Sequence, residues 1–227
     1  MGNNIKEKKG FKEFCRKFRN IKGKTIIGLT GALGSGKSAA LGFFRDCGAF
    51  CVSTDALAKE VLTSGACYNR ILTRFGPRVF LKDGSIARNK LAEEVFSDTA
   101  KRKRLENILH PEILKKTLSL IKKSHEKIIV VEVPLLFETG LEGCFDLTIC
   151  VDASGDLRMR RAVRKGWNPG EMKARSAAQL PAGEKAARAD IVAANDGSLK
   201  DLRNKIRRIY DFLNAAKLGN WRKNERR

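Results

Sequence analysis

The sequence predicts an α/β protein built on a doubly wound parallel sheet of about five strands. Three observations lead there. Apolar runs of strand length alternate with helical stretches along the chain. Two of those runs, residues 128–133 and 147–151, lack polar alternation, as strands covered on both faces do. The first run is followed at once by Gly31-Ala32-Leu33-Gly34-Ser35-Gly36-Lys37-Ser38, a complete G-x-x-x-x-G-K-[ST] phosphate-binding loop.

Taken in order, residues 25–30 form the first strand, and 39–45 suit the helix after the loop. Strand, glycine loop and helix is the context the motif requires. The glycines let successive N–H groups converge on phosphate oxygens, and the helix N-terminus adds partial positive charge. Lys37 then reaches the β- and γ-phosphates, and the Ser38 hydroxyl holds Mg²⁺. A nucleoside triphosphate is the expected ligand. Residues 49–53 form a second strand ending at Thr54-Asp55, and 56–63 a helix with Leu57, Val61 and Leu62 on one face. Residues 67–126 read as mostly helical, with breaks at Gly76-Pro77, Asp83-Gly84 and His110-Pro111. The strand at 128–133 ends at Pro134, and another follows at 147–151. Residues 157–165 and 171–189 read as charged helices, 191–193 as the last strand, and 198–215 as a closing amphipathic helix.

A chain of 227 residues suffices for one such domain with small insertions. Its net charge of +21 is uneven: residues 1–24 contribute +7 and 217–227 contribute +4, leaving +10 for the body. That excess suits phosphorylated ligands. Nucleic acid is the rival partner, but the body lacks a zinc-finger pattern, an RNA-binding aromatic motif or a basic-zipper repeat. No apolar stretch reaches membrane-span length, and the N-terminus has no signal-peptide core. Six cysteines, at 15, 47, 51, 67, 144 and 150, form no C-x-x-C pair. They read as small hydrophobes in a reducing compartment, with neither a disulfide frame nor a zinc site, and the expected location is cytoplasmic.

The run from Gly28 to Ser38 resembles the opening G-L-T-G-G-I-G-S-G-K-S of the dephospho-CoA kinases, a family of P-loop kinases. Further matches follow in order to about residue 213. Asp55-Ala56-Leu57-Ala58 resembles the end of the family's D-A-D-x-I-A segment, and Asp83 to Arg88 its D-G-x-x-x-R stretch. Leu105-Glu106-Asn107-Ile108-Leu109-His110-Pro111 and Val133-Pro134-Leu135-Leu136-Phe137-Glu138 are the most specific pieces. Arg175 to Gln179, Ala189-Asp190 and Asn195 complete the series.

The resemblance implies a P-loop kinase fold with a helical substrate-binding insertion and a lid. It also implies transfer of the ATP γ-phosphate, with Mg²⁺, to the ribose 3′-hydroxyl of dephospho-CoA, giving coenzyme A and ADP. It assigns catalysis to Asp55, Lys37 and Arg161, and ATP binding to Gly31, Leu33, Gly34, Ser35, Gly36, Lys37, Ser38, Ala39 and Asn195. Ser38 is the metal ligand, and Arg88, His110 and Leu135 bind the acceptor. Several have a plainer alternative. Asp55 could N-cap the helix at 56–63, Arg88 could pair with Asp83 or Glu93, His110 could end a helix, and Asn195 could serve a turn. Within the lid run from Arg158 to Lys165, Arg161 aligns best and Arg164 second. Glu132 and Glu138 are alternative outer partners for the metal.

The chain also departs from the family. Ala32 replaces the second loop glycine, Ala39 the threonine after Ser38, and Ser53 the first acid of D-A-D. The kinase domain is expected at residues 25–216, with the helical substrate region at about 67–126 and the lid at about 157–189. Residues 1–24 and 217–227 are basic extensions. Phe11, Phe14 and Phe18 fall at i, i+3 and i+7 among lysines and arginines, so a helix there is basic and amphipathic. Such a segment docks weakly on an anionic membrane or partner, or stays solvated. Rival activities are a kinase of another nucleoside or small alcohol, and a non-catalytic ATP-dependent nucleic-acid-binding protein. Nothing in the sequence bears on oligomeric state.

Overall fold

A computed structural model of the chain describes residues 13–96, 98–167, 170, 172, 176, 177 and 179–216. Strands β1 (Thr25–Thr30), β2 (Phe50–Ser53), β3 (Ile128–Glu132), β4 (Leu147–Asp152) and β5 (Ile191–Ala194) form one sheet in the order β2-β3-β1-β4-β5. Every pairing is parallel. All residues of β1 and β3 are buried, which is why their sequences run apolar without alternation. Helices α2 (Lys37–Asp46) and α9 (Leu199–Ala215) pack into the same core: Phe44, Leu202 and Ile206 meet Ile27, Leu29, Val130 and Ile149. Each such side chain stabilises the fold by about 1.5–3 kcal/mol. Ser198 and Asp201 cap α9 reciprocally, satisfying two N–H groups that the helix leaves open.

The residues fall into two compact units, one running to Ser53 and resuming at Ile121, the other spanning Thr54–Leu120. The second is helical: α3 (Thr54–Leu62), α4 (Gly65–Phe75), a 3-10 turn at Pro77–Val79, α5 (Arg88–Phe96) and most of α6 (Thr99–Lys123). The sheet unit adds α7 (Gly155–Arg164) and α8 (Ala182–Arg188).

Four expectations change. The break at His110-Pro111 does not occur, because α6 runs straight through Pro111. Proline at 111 removes the N–H that would bond the carbonyl of Asn107. Arg70 fills in, donating from Nη2 to Asn107 O and from Nη1 to Ile108 O, both at 3.3 Å. Second, α3 begins at Thr54, so Asp55 lies within its first turn and is not the N-cap. Third, the helix expected at 171–189 is interrupted: Gln179–Pro181 is irregular and α8 starts at Ala182. Fourth, Cys15 and Cys144 form a disulfide, while Cys47, Cys51, Cys67 and Cys150 are free.

The disulfide belongs with a further finding at the N-terminus. Residues 13–19 form helix α1, and Phe14 and Phe18 on it are buried. The Phe18 ring meets Phe145 edge-on at 5.7 Å. The aromatic face that the sequence left open to a membrane or to solvent is spent here on the protein's own core; Phe11 lies outside the described residues. No helix among the described residues is long and apolar enough to cross a membrane.

Candidate active site

Strand β1 ends at Thr30 in the middle of the sheet, with β3 on one side and β4 on the other. Chain connections leave that point in opposite directions, and open parallel sheets place ligands at such a switch, beyond the strands' carboxyl ends. The phosphate-binding loop fills it. Gly34 (φ 77°) and Gly36 (φ 102°) adopt left-handed geometry that a side chain would strain. Space enforces the same choice: a Cβ at Gly34 would strike the Arg158 carbonyl, and one at Gly36 the Asn195 amide nitrogen. Ala32 is buried, and its carbonyl accepts from Ser35 N at 3.2 Å.

Lys37 Nζ donates to the carbonyls of Gly31 (2.8 Å) and Ala32 (2.9 Å), which lays the side chain back over the loop. Helix α2 starts at Lys37 with no acid in its first turn. The positive end of its dipole therefore meets the loop without a carboxylate of its own helix to offset it. Leu33 and Ala39 flank this cradle, both half-buried. Ser38 Oγ lies 3.4 Å from Oε1 of Glu132, the last residue of β3, which is buried. Hydroxyl and carboxylate oxygens are the hard ligands Mg²⁺ prefers, so this pair fits that ion. Ser53 sits beside Glu132 in the β2–β3 register. Glu138 is engaged elsewhere: its Oε1 accepts from Leu180 N and pairs with Lys185, both at 2.8 Å.

Behind the loop runs a chain of hydrogen bonds. Asn195 Nδ2 donates to Ser35 O (2.8 Å), and Arg161 Nη2 on α7 donates to Asn195 O (2.9 Å). Asn195 is buried, with its own N–H on Asp152 O at 2.7 Å. Ser35 Oγ, Asn195 Oδ1 and Arg161 Nη1 are buried without a hydrogen-bond partner among the described residues. Buried polar atoms are normally paired, so three of them around one loop mark a place built for a polar ligand. Arg158 donates from Nε to Ala153 O at 3.0 Å, and Arg164 is exposed in the last turn of α7. Cys150 is buried on β4 beside Thr30 in register. Burial pushes its thiol up to about 11, Asp152 adding and Lys185 and Lys37 opposing. It is an inert thiol, not a nucleophile.

The remaining sequence candidates stand on separate elements. Leu135 is half-buried in the turn after β3. Asp55 is exposed in the first turn of α3, two residues past β2. Arg88 is exposed at the start of α5, and His110 is half-buried within α6. Lys185 escaped the sequence reading altogether. A lysine within the run Ala182–Arg188 reads as a solvated charge, yet it is the most buried of the chain's described lysines, at 0% exposure.

Sheet order, loop and loop-facing helix define a P-loop kinase. Comparison with known proteins narrows this. A model of the dephospho-CoA kinase family matches residues 25–201. The Bacillus licheniformis dephospho-CoA kinase is 38% identical over 191 residues, 82% of this chain and 95% of that one. A crystal structure from Thermus thermophilus superposes with a TM-score of 0.75 at 35% identity, covering 84% of this chain and 98% of the other. The dephospho-CoA kinase of Campylobacter jejuni gives a TM-score of 0.62 at 26% identity, covering 85% and 98%. The chain belongs to the dephospho-CoA kinase family.

Proposed function

We propose that this protein phosphorylates the ribose 3′-hydroxyl of dephospho-CoA from ATP, giving coenzyme A and ADP in the last step of CoA synthesis. The observation that carries the nucleotide half is the preformed loop, with Lys37, Ser38 and Glu132 gathered at the carboxyl end of β1 and β3. The family match carries the acceptor half.

Such phosphoryl transfer needs little covalent chemistry from the protein; placement and charge stabilisation dominate. Loop N–H groups and the α2 terminus receive the phosphates. Lys37 trades its loop carbonyls for β- and γ-phosphate oxygens. Ser38 would hold Mg²⁺, with Glu132 as outer partner, and the ion would supply positive charge against the phosphates. Glu132 also accounts for Ser53: with a buried carboxylate next to it in register, the serine leaves one acid at the metal position. Asp55 accepts the proton of the attacking hydroxyl. Arg161 places a guanidinium by the transferring group, from the anchor that Asn195 provides. Asn195, Leu33 and Ala39 complete the ATP site, and Arg88, His110 and Leu135 bind the acceptor.

The test is ADP release from MgATP with and without dephospho-CoA. Release that requires dephospho-CoA, with 3′-phosphorylated product by mass, is expected. ATP binding without acceptor-dependent release, or faster release with another nucleoside or alcohol, overturns the assignment.

A further inference from the structure

Lys185 is wholly buried, and the three N–H bonds of its ammonium have three acceptors on two stretches of chain, the turn after β3 and the irregular segment before α8. These are Pro134 O at 2.6 Å, Glu138 Oε1 at 2.8 Å and Gln179 Oε1 at 3.3 Å. Glu138 Oε1 also accepts from Leu180 N at 2.8 Å. The Pro134 carbonyl is shared with Thr30 Oγ1 at 3.4 Å, and Thr30 directly precedes the phosphate-binding loop. Pro134 in turn lies two residues past Glu132, and the intervening Val133 donates to Leu29 O at 2.8 Å.

A buried ion pair is poor value as a stabiliser. Desolvating both charges offsets most of their attraction, and apolar residues of equal volume often do as well. What this pair supplies is direction: a tetrahedral donor with no spare proton ties its own helix to two other segments at once. We propose that Lys185, with Glu138, is a positioning residue of the phosphoryl-transfer site. It clamps the turn that leaves β3 beside the loop, and with it the setting of Glu132. The role rests on the kinase reading above, since it acts through the Mg²⁺ partner assigned there.

The test compares wild type with the double variant Glu138→Leu/Lys185→Met, which removes the pair without stranding a charge, and with Glu138→Gln, which keeps the acceptor. Amide exchange reports geometry without turnover. In the double variant, exchange at Leu180 should rise about tenfold or more while β1 and β3 stay protected. With dephospho-CoA, kcat should fall about tenfold and the Mg²⁺ concentration for half-maximal rate should rise about threefold or more. The KM for ATP should move less, and Glu138→Gln should recover much of the loss. If Leu180 exchange is unchanged, or rises with kcat and Mg²⁺ demand unmoved, the pair is structural filling and the proposal fails. Should the double variant not fold, Glu138→Gln carries the same readouts: a normal Mg²⁺ requirement together with faster Leu180 exchange overturns the role. If wild type does not phosphorylate dephospho-CoA, the function reading fails instead. Leu180 exchange, and the Mg²⁺ dependence of ATP binding, then decide the clamp alone.

Discussion

The sheet unit and the helical unit hold their functional residues by different means. Around β1 the main chain itself builds the candidate site: glycine geometry, strand ends and a helix terminus place the groups proposed to bind phosphate. From Thr54 to Leu120 the candidates are single side chains, Asp55, Arg88 and His110, spread over three helices. A backbone-built site tolerates little change in shape but is written as a contiguous motif. A site of scattered side chains is written one residue at a time, and local pattern says less about each.

The sharpest way to break that comparison is to remove one side chain from each unit. Lys37→Ala should lower kcat/KM by about 10³, since the role proposed for its ammonium is to leave the loop carbonyls for the transferring group. Asp55→Asn should lower kcat by about 10², in the range of a positioned base. MgATP binding, measured by calorimetry, should survive Asp55→Asn and weaken in Lys37→Ala. Equal loss of nucleotide affinity in both would erase the division of labour between the units.

The contrast also explains what could be read in advance. All five strands, the loop and α9 were legible because short apolar runs, glycine spacing and amphipathic period are local signals. What was not legible depends on partners far along the chain. Arg70 repairs the ladder gap at Pro111 from 37 residues away at Asn107, so local rules ended a helix that continues. Cys15 meets Cys144 across a separation of 129 residues, and Phe18 meets Phe145. Neither pairing leaves a mark on its own segment. Glu132 and Glu138 look alike in sequence, and only the nearness of Ser38 to one and Lys185 to the other tells them apart.

A smaller test asks whether the helical unit really depends on that repair. Arg70→Met should cost about 1 kcal/mol, because two hydrogen bonds of an exposed guanidinium end on carbonyls that water partly serves. Pro111→Ala restores an N–H for Asn107 O. In that background the cost of Arg70→Met should shrink measurably in urea melts, and strict additivity of the two changes would show that Arg70 is not the substitute donor.

The smallest expected effect asks whether the two units differ at their helix ends as well as in their sites. Asp201 caps α9 in the sheet unit, and hydrogen bonds from Ser198, side chain first and then backbone, hold its carboxyl below the usual range. Asp98 precedes α6 in the helical unit, and the backbone N–H groups of Lys101 and Ala100 do the same there. A carboxyl whose folded pKa is depressed stabilises the fold above its unfolded pKa, and that contribution is lost as pH falls through the folded value. Asp201→Asn and Asp98→Asn should therefore each lower Tm slightly at pH 7, and each deficit should close as pH falls through the depressed folded pKa. Similar deficits place the contrast between the units in how they build their sites. A deficit confined to one variant would mean that capping, too, divides the molecule.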